Sequence, residues 1–256
     1  MMPRALECCE RVQAVLDHTP EIQDLVSGPP RPFDDDAPEV LSFRNVSFRF
    51  ADAEEDTLSE LNFTCRRGQT TAIIGGTGTG KSTIASLILR FHDVTRGAIL
   101  LNGTDIRRMP QHFLRERLAY VQQKAWLFSG TIADNLRYSD PDASRETMLH
   151  AVDVAQAGEF VGALPDGLDS FVAQGGTNFS GGQRQRLSIA RALVKKPELY
   201  IFDDSFSALD FKTDAALRKA LAKETQDAAV LIIAQRVSTI RDADIILYME
   251  HGNIVE

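Results

Sequence analysis

The sequence predicts an α/β fold: a largely parallel sheet, an antiparallel β subdomain ahead of it and an α-helical subdomain inserted into it. Three observations carry that prediction. Short apolar runs at 199–202, 229–234 and 245–249 are separated by helical segments, and strands alternating with helices make a parallel sheet covered on both faces. Residues 41–65 instead alternate apolar with polar positions, as antiparallel strands with one solvated face do. From about 124 to 192, strand signals are few and helical ones several, which reads as the helical insertion.

Residues 4–17 predict an amphipathic helix, with Leu6, Cys9, Val12 and Leu16 near helical spacing. The segment GPPRPFDDDAP (28–38) is rich in proline and acid; it reads as a linker that does not pack, so the folded domain should begin near Glu39. Leu41 and Phe43 alternate with polar residues, then Val46, Phe48 and Phe50 alternate in the opposite phase, and Leu61, Phe63 and Cys65 alternate again. An acidic turn, 51–56, separates these strands. Thr71-Ala72-Ile73-Ile74 is a continuous apolar run, as for a strand buried on both faces. A glycine-rich turn follows, then Ile84, Leu87, Ile88 and Phe91 at i, i+3, i+4, i+7, one face of a helix. Leu187, Ala190 and Val194 mark a later helix, and Leu217, Ala220 and Leu221 another.

Composition narrows the function classes. A chain of 256 residues with 43% hydrophobic and 25% charged residues has a globular balance and is not disordered over most of its length. Two of its three cysteines are adjacent, so a disulfide scaffold is excluded. The net charge of −8 does not suggest a nucleic-acid binder. No stretch approaches 18 consecutive apolar residues, the signature of a membrane span. The N-terminus lacks a signal peptide's apolar core, so a reducing, cytoplasmic setting is expected. The sequons at Asn45, Asn62, Asn102 and Asn178 carry little weight there. There is no internal repeat.

Three motifs carry chemistry. Gly75-Gly76-Thr77-Gly78-Thr79-Gly80-Lys81-Ser82, followed by Thr83, matches G-x-x-x-x-G-K-[ST] and sits between a buried strand and an amphipathic helix. Glycines let the backbone wrap phosphates with amides pointing inward, and the helix N-terminus adds positive potential. Lys81 would neutralise the β- and γ-phosphates and Ser82 would ligate Mg²⁺. Second, the apolar strand 199–202 ends in Asp203-Asp204, placing carboxylates at the edge of the sheet where α/β folds bind ligands; Asp203 would hold Mg²⁺. Third, Phe179-Ser180-Gly181-Gly182-Gln183 opens a helix that Ser180 can cap, a second anion-binding N-terminus.

On these motifs the chain resembles the nucleotide-binding domain of an ATP-binding cassette (ABC) exporter over residues 39–256. The resemblance implies a P-loop NTPase (RecA-like) core, ATP and Mg²⁺ as ligands, and ATP hydrolysis that powers transport. It implies that Ser180–Gln183 is the signature sequence, which meets ATP bound to an opposite domain as two domains close head-to-tail. It implies that Phe50 stacks on adenine, that Gln123 reaches Mg²⁺ and couples the site to membrane helices, with Gln122 the alternative, and that Asp210 belongs to a loop crossing the dimer interface. Trp126, Leu127 and Phe128 would be exposed, forming the groove for a coupling helix. Residues 1–38 would be the end of a transmembrane domain missing from this sequence, and the domain would work on the cytoplasmic face of a membrane.

Two positions depart from the family pattern. Asp204 stands where the family has a Glu as general base, and Gln235 where it has a switch His. Asp is one methylene shorter, and Gln carries no charge and relays no proton. The pattern resembles the degenerate-site half of a heterodimeric exporter, whose partner chain would supply Glu and His. An ATP-gated clamp with little hydrolysis and the ATPase subunit of an importer are the alternatives.

Overall fold

The computed structural model describes residues 2–17, 19–20, 22–24, 28, 30 and 33–255. Pro29, Arg31 and Pro32 of the linker segment lie outside them, as does the side chain of Leu6. Helix α1 (Met2–Leu16) covers the predicted amphipathic stretch, with Cys9, Val12 and Leu16 exposed.

Strand β1 (Glu39–Phe48) pairs antiparallel with β2 (Leu58–Arg66), and the Phe43 and Phe63 rings stack across the pair at 4.3 Å. The pairing shifts between Phe43 and Val46, where Asn45 has φ 49° and its amide donates to Asn62 Oδ1 at 2.9 Å. An extra residue in a strand turns the following side chains to the other face. The phase change read between Phe43 and Val46 is that bulge.

Strand β3 (Thr70–Gly75) leads through the glycine-rich turn into α2 (Lys81–Ile88). Arg90, at φ 53°, turns the chain off the helix. Phe91 therefore leaves the buried face where helical spacing placed it and lies exposed beneath the Arg115 guanidinium. Strand β4 (Arg96–Leu101) turns at Asn102-Gly103, with φ 46° and 76°, into β5 (Thr104–Asp105). Positive φ at both central residues is what a tight hairpin of this kind requires. Helix α3 (Gln111–Glu116) precedes β6 (Leu118–Val121). A short pair, β7 (Gly130–Thr131) with β8 (Phe171–Val172), brackets α4 (Ile132–Arg137), α5 (Arg145–Val154) and α6 (Gly158–Gly162). Then follow α7 (Gly181–Val194), β9 (Leu199–Asp203), α8 (Phe211–Glu224), β10 (Ala229–Ala234), α9 (Val237–Ile240), β11 (Ile245–Glu250) and β12 (Asn253–Ile254).

The strands form an antiparallel sheet in the order β2-β1-β4-β5 and a second sheet in the order β12-β11-β3-β10-β9-β6. In the second, β11, β3, β10, β9 and β6 run parallel and only β12 reverses. Strand β9 shows why its sequence is apolar throughout. Leu199 and Ile201 face the core shared with the antiparallel sheet and α2, while Tyr200 and Phe202 face the core shared with α7, α8 and the helical insertion.

Two expectations are corrected here. Leu127 is buried in the second core, with Trp126 and Phe128 exposed on either side of it. The linker segment does pack at its described residues. Phe33 meets Phe113 edge-on at 5.2 Å, and the Arg117 guanidinium lies 3.6 Å from the Phe113 ring centre. Arg67 donates to Asp35 O at 2.7 Å. Just upstream, Arg90, only 2% exposed, donates to Gln23 O at 3.2 Å and pairs with Asp24 at 3.8 Å. Aromatic edges and guanidinium groups offset the solvation of a segment whose composition is otherwise that of free chain.

Candidate active site

The turn after β3 needs a left-handed residue to start α2, and Gly80 supplies it at φ 92°; a Cβ there would lie 2.6 Å from Leu58 Cδ2. Thr77 and Gly78 form a backbone turn, and outside the helices and strands no other backbone bond from the amides of 77–82 is found among the described residues. The first amides of a helix have no partner within it, so those of Lys81 and Ser82 are open to a ligand in the concavity these residues line. The Lys81 ammonium folds back over the turn, donating to Gly75 O at 2.8 Å and Gly76 O at 2.5 Å. Burial holds its pKa below the ordinary value, against the pull of the Asp203 and Asp204 carboxylates.

Parallel pairing of β9 beside β10, and β10 beside β3, brings Asp203 and Asp204 to the same end of the sheet as the turn. A cleft of about 330 Å³ results, lined by Thr57, Thr77, Gly78, Gly80–Thr83, Gln123, Asp203, Asp204 and Gln235 among others. Asp203 is 6% exposed. Burial raises its pKa above the usual carboxylate range, against hydrogen bonds from Tyr120 and Ser82 and the charge of Lys81. Asp204 sits at φ 44°, a conformation Asp adopts more readily than most residues. Its amide donates to Ile233 O at 2.7 Å, and its Oδ2 accepts from Gln123 Nε2 at 2.9 Å. Gln123 is thereby placed on Asp204, whereas the Gln122 carbonyl accepts from Gln185 at 3.1 Å. Gln235 follows β10, which lies between β3 and β9, and lines the cleft.

The remaining candidates lie outside this cleft. Ser180 caps α7 in a reciprocal box: its Oγ accepts from Gln183 N at 3.2 Å, and Gln183 Oε1 accepts from Ser180 N at 2.9 Å. Gly181 is exposed, and a Cβ on Gly182 would lie 3.3 Å from Ala208 O, so this helix start abuts the loop leading to Asp210. Asp210 caps α8 by accepting from Lys212 N and Thr213 N, and those bonds hold its carboxyl below the ordinary range. Phe50 lies two residues past β1, 42% exposed, its edge against Phe48 at 4.8 Å and His92 at 5.4 Å. Beside the exposed Trp126, Phe128 stacks on Tyr138 at 4.4 Å, with Arg191 nearby at 5.9 Å.

Sequence reading missed Tyr120, whose hydroxyl donates to Asp203 Oδ2 at 3.0 Å. Burial pushes its phenol pKa up, and the Asp203 charge acts in the same direction. No motif marks a tyrosine in a strand. Its only sequence signal is its place, three residues before Gln123.

A cleft lined by a glycine-rich turn that leads into a helix, a buried lysine and two carboxylates at one end of the sheet define a nucleotide-binding α/β protein. The sequence matches the ABC transporter family over residues 58–207, and the chain belongs to that family. It is 43% identical over 258 residues to an uncharacterized ABC transporter ATP-binding protein of Mycobacterium tuberculosis, covering 100% of this chain and 44% of that protein. It is 42% identical over 254 residues to an ATP-dependent lipid A-core flippase of Haemophilus influenzae, covering 99% of this chain and 42% of the flippase. Among solved structures, a bacterial Atm1-family ABC exporter with ATP bound matches with a TM-score of 0.90 and 35% identity, over 98% of this chain and 43% of that one. The chain thus spans less than half the length of these relatives. No helix among the described residues is long and apolar enough to cross a membrane.

Proposed function

We propose that this chain is the ATP-binding and ATP-hydrolysing domain of an ABC exporter, closing on a second such domain to drive export across a membrane. The observation that carries this reading is the convergence of the glycine-rich turn (Thr77, Gly78 and Gly80–Thr83), Asp203, Asp204, Gln123 and Gln235 on one cleft. The named relatives, a flippase and an exporter, support export over import. In this reading the chain works at the cytoplasmic face of the membrane.

The triphosphate of ATP would lie in the turn from Gly75 to Thr83, with Lys81 leaving its carbonyls for the phosphates and Phe50 stacking on adenine. Ser82, Gln123 and Asp203 present oxygen donors suited to a hard cation. Among the described residues no cluster of three or more His, Cys, Asp or Glu is built for a metal. A Mg²⁺ held there would take the rest of its shell from phosphate and water, and would neutralise charge on the transferring phosphoryl group. The pre-formed caps at Ser180–Gln183 and Asp210 suit a surface that meets the other domain's nucleotide. Trp126 and Phe128, with the Phe128–Tyr138 stack, offer apolar area to a helix of a transmembrane domain.

Asp204 and Gln235 make the chain's own site a slow one, so fast turnover requires a different partner chain carrying Glu and His. The same two residues favour a second reading, an ATP-held clamp with little hydrolysis. Single-turnover phosphate release separates the two, because a clamp releases none on the timescale of dimer closure.

The binding claim is tested by titrating MgATP into the protein and into Lys81→Ala. Two charge-assisted hydrogen bonds, each contributing about 1.5–3 kcal/mol, set the expected loss at a hundred-fold or more in affinity. Unchanged affinity would remove the phosphate role of this turn.

A further inference from the structure

We propose that Tyr120 is a positioning residue for the metal-binding carboxylate, fixing the orientation of Asp203 so that one oxygen stays turned toward Ser82 and the cleft. The inference rests on the reading that Asp203 serves Mg²⁺.

Strands β6 and β9 pair in parallel, with Tyr120 opposite Ile201 and Val121 opposite Phe202. Ile201 and Asp203 share a face of β9, since side chains alternate along a strand. The long Tyr120 side chain, on that same face and leaning along the strand, reaches forward to Asp203 and donates its hydroxyl to Oδ2 at 3.0 Å. A carboxylate turns easily about its last torsion, which is broad and two-fold. A hydroxyl bonded to one oxygen removes that freedom and leaves the other for a ligand.

The hydroxyl is itself held in place, because the residues after Tyr120 are braced one by one. Val121 O accepts from the buried Ser205 Oγ at 2.7 Å. Gln122 O accepts from Gln185 Nε2, on α7, at 3.1 Å. Gln123 donates to Asp204 at 2.9 Å. Four consecutive residues thus tie the end of β6 to both carboxylates and to the helix that begins at Gly181. A phenylalanine at 120 would keep the ring and its packing and lose only the hydrogen bond.

The experiment compares ATP affinity in excess Mg²⁺ with affinity in EDTA, by calorimetry, for the wild type, Tyr120→Phe and Asp203→Asn. In Tyr120→Phe the metal-dependent gain should fall about ten-fold, the size of one lost hydrogen bond to a charged group, while metal-free affinity stays at the wild-type value and the melting temperature falls by only a few degrees, the cost of the donor lost at Asp203 Oδ2. Mn²⁺ replacing Mg²⁺ should give broader electron paramagnetic resonance lines in the ATP complex of the variant, reporting a less ordered metal environment. A full metal-dependent gain in Tyr120→Phe, or an equal loss with and without metal, overturns the positioning role. An undiminished gain in Asp203→Asn overturns the metal role of Asp203 itself, and with it the basis of the inference.

Discussion

Replacing Asp204 by Glu should speed ATP hydrolysis. Asp204 projects from a backbone at φ 44°, its carbonyl held by Ser207 Oγ at 2.7 Å and its carboxylate by Gln123 at 2.9 Å. The main chain therefore cannot advance to compensate for a short side chain. One added methylene extends the carboxylate by about 1.5 Å, the length of a carbon–carbon bond. A base must approach the attacking water to about 3 Å, and a misplacement near 1 Å costs roughly 100-fold. The expected gain in Asp204→Glu is therefore about 10- to 100-fold, the lower figure applying if Gln235 remains the next limit. Single-turnover phosphate release at saturating MgATP, with the domain at concentrations that sustain closure, is the assay. Gln235→His alone should give a smaller gain, and the double variant the largest. A wild-type rate of several turnovers per second without any partner chain, or an Asp204→Glu rate no higher than wild type, would refute the argument that reach limits this site.

Two further outcomes follow from buried charges. Asp203→Asn should raise the melting temperature of the nucleotide-free protein while weakening MgATP binding, because the buried carboxylate is held above its ordinary pKa chiefly by desolvation. The folded state binds that proton more tightly than the unfolded chain, so the cost is full above the folded pKa and vanishes as pH falls below the ordinary carboxylate value. The difference in melting temperature between variant and wild type should thus be largest near neutral pH and shrink on acidification. Arg90→Ala should lower unfolding free energy in urea by about 2–3 kcal/mol, since it leaves Met109 O and Gln23 O without their donor.

Where side chains alternate or repeat regularly, the fold was legible from sequence: β3, β9 and β10 were visible as apolar runs because both their faces are buried. Strand β4 carries no expectation from the sequence, although Asn102-Gly103 after its apolar residues is a strong hairpin signal. Strand β6 has four residues, too short for a period to show. Phe91 fitted a helical face by spacing alone, and only the left-handed Arg90 takes it off. Leu127 could not be told from its exposed neighbours, because what covers it comes from the distant insertion. The 28–38 segment looked unable to pack because its anchors, Phe113 and Arg117, lie some 80 residues on. The glycine-rich turn and the Asp203-Asp204 pair were legible as motifs, and Tyr120 was not, since its partner is 83 residues away across a strand pair.

The contacts of Gln23 and Asp24 have a mechanical meaning. Both meet Arg90, two residues beyond the eight-residue helix that begins at Lys81. That helix is about 12 Å long at 1.5 Å per residue. A displacement of Gln23 and Asp24 would therefore be received at the foot of a short stiff rod whose other end carries Lys81.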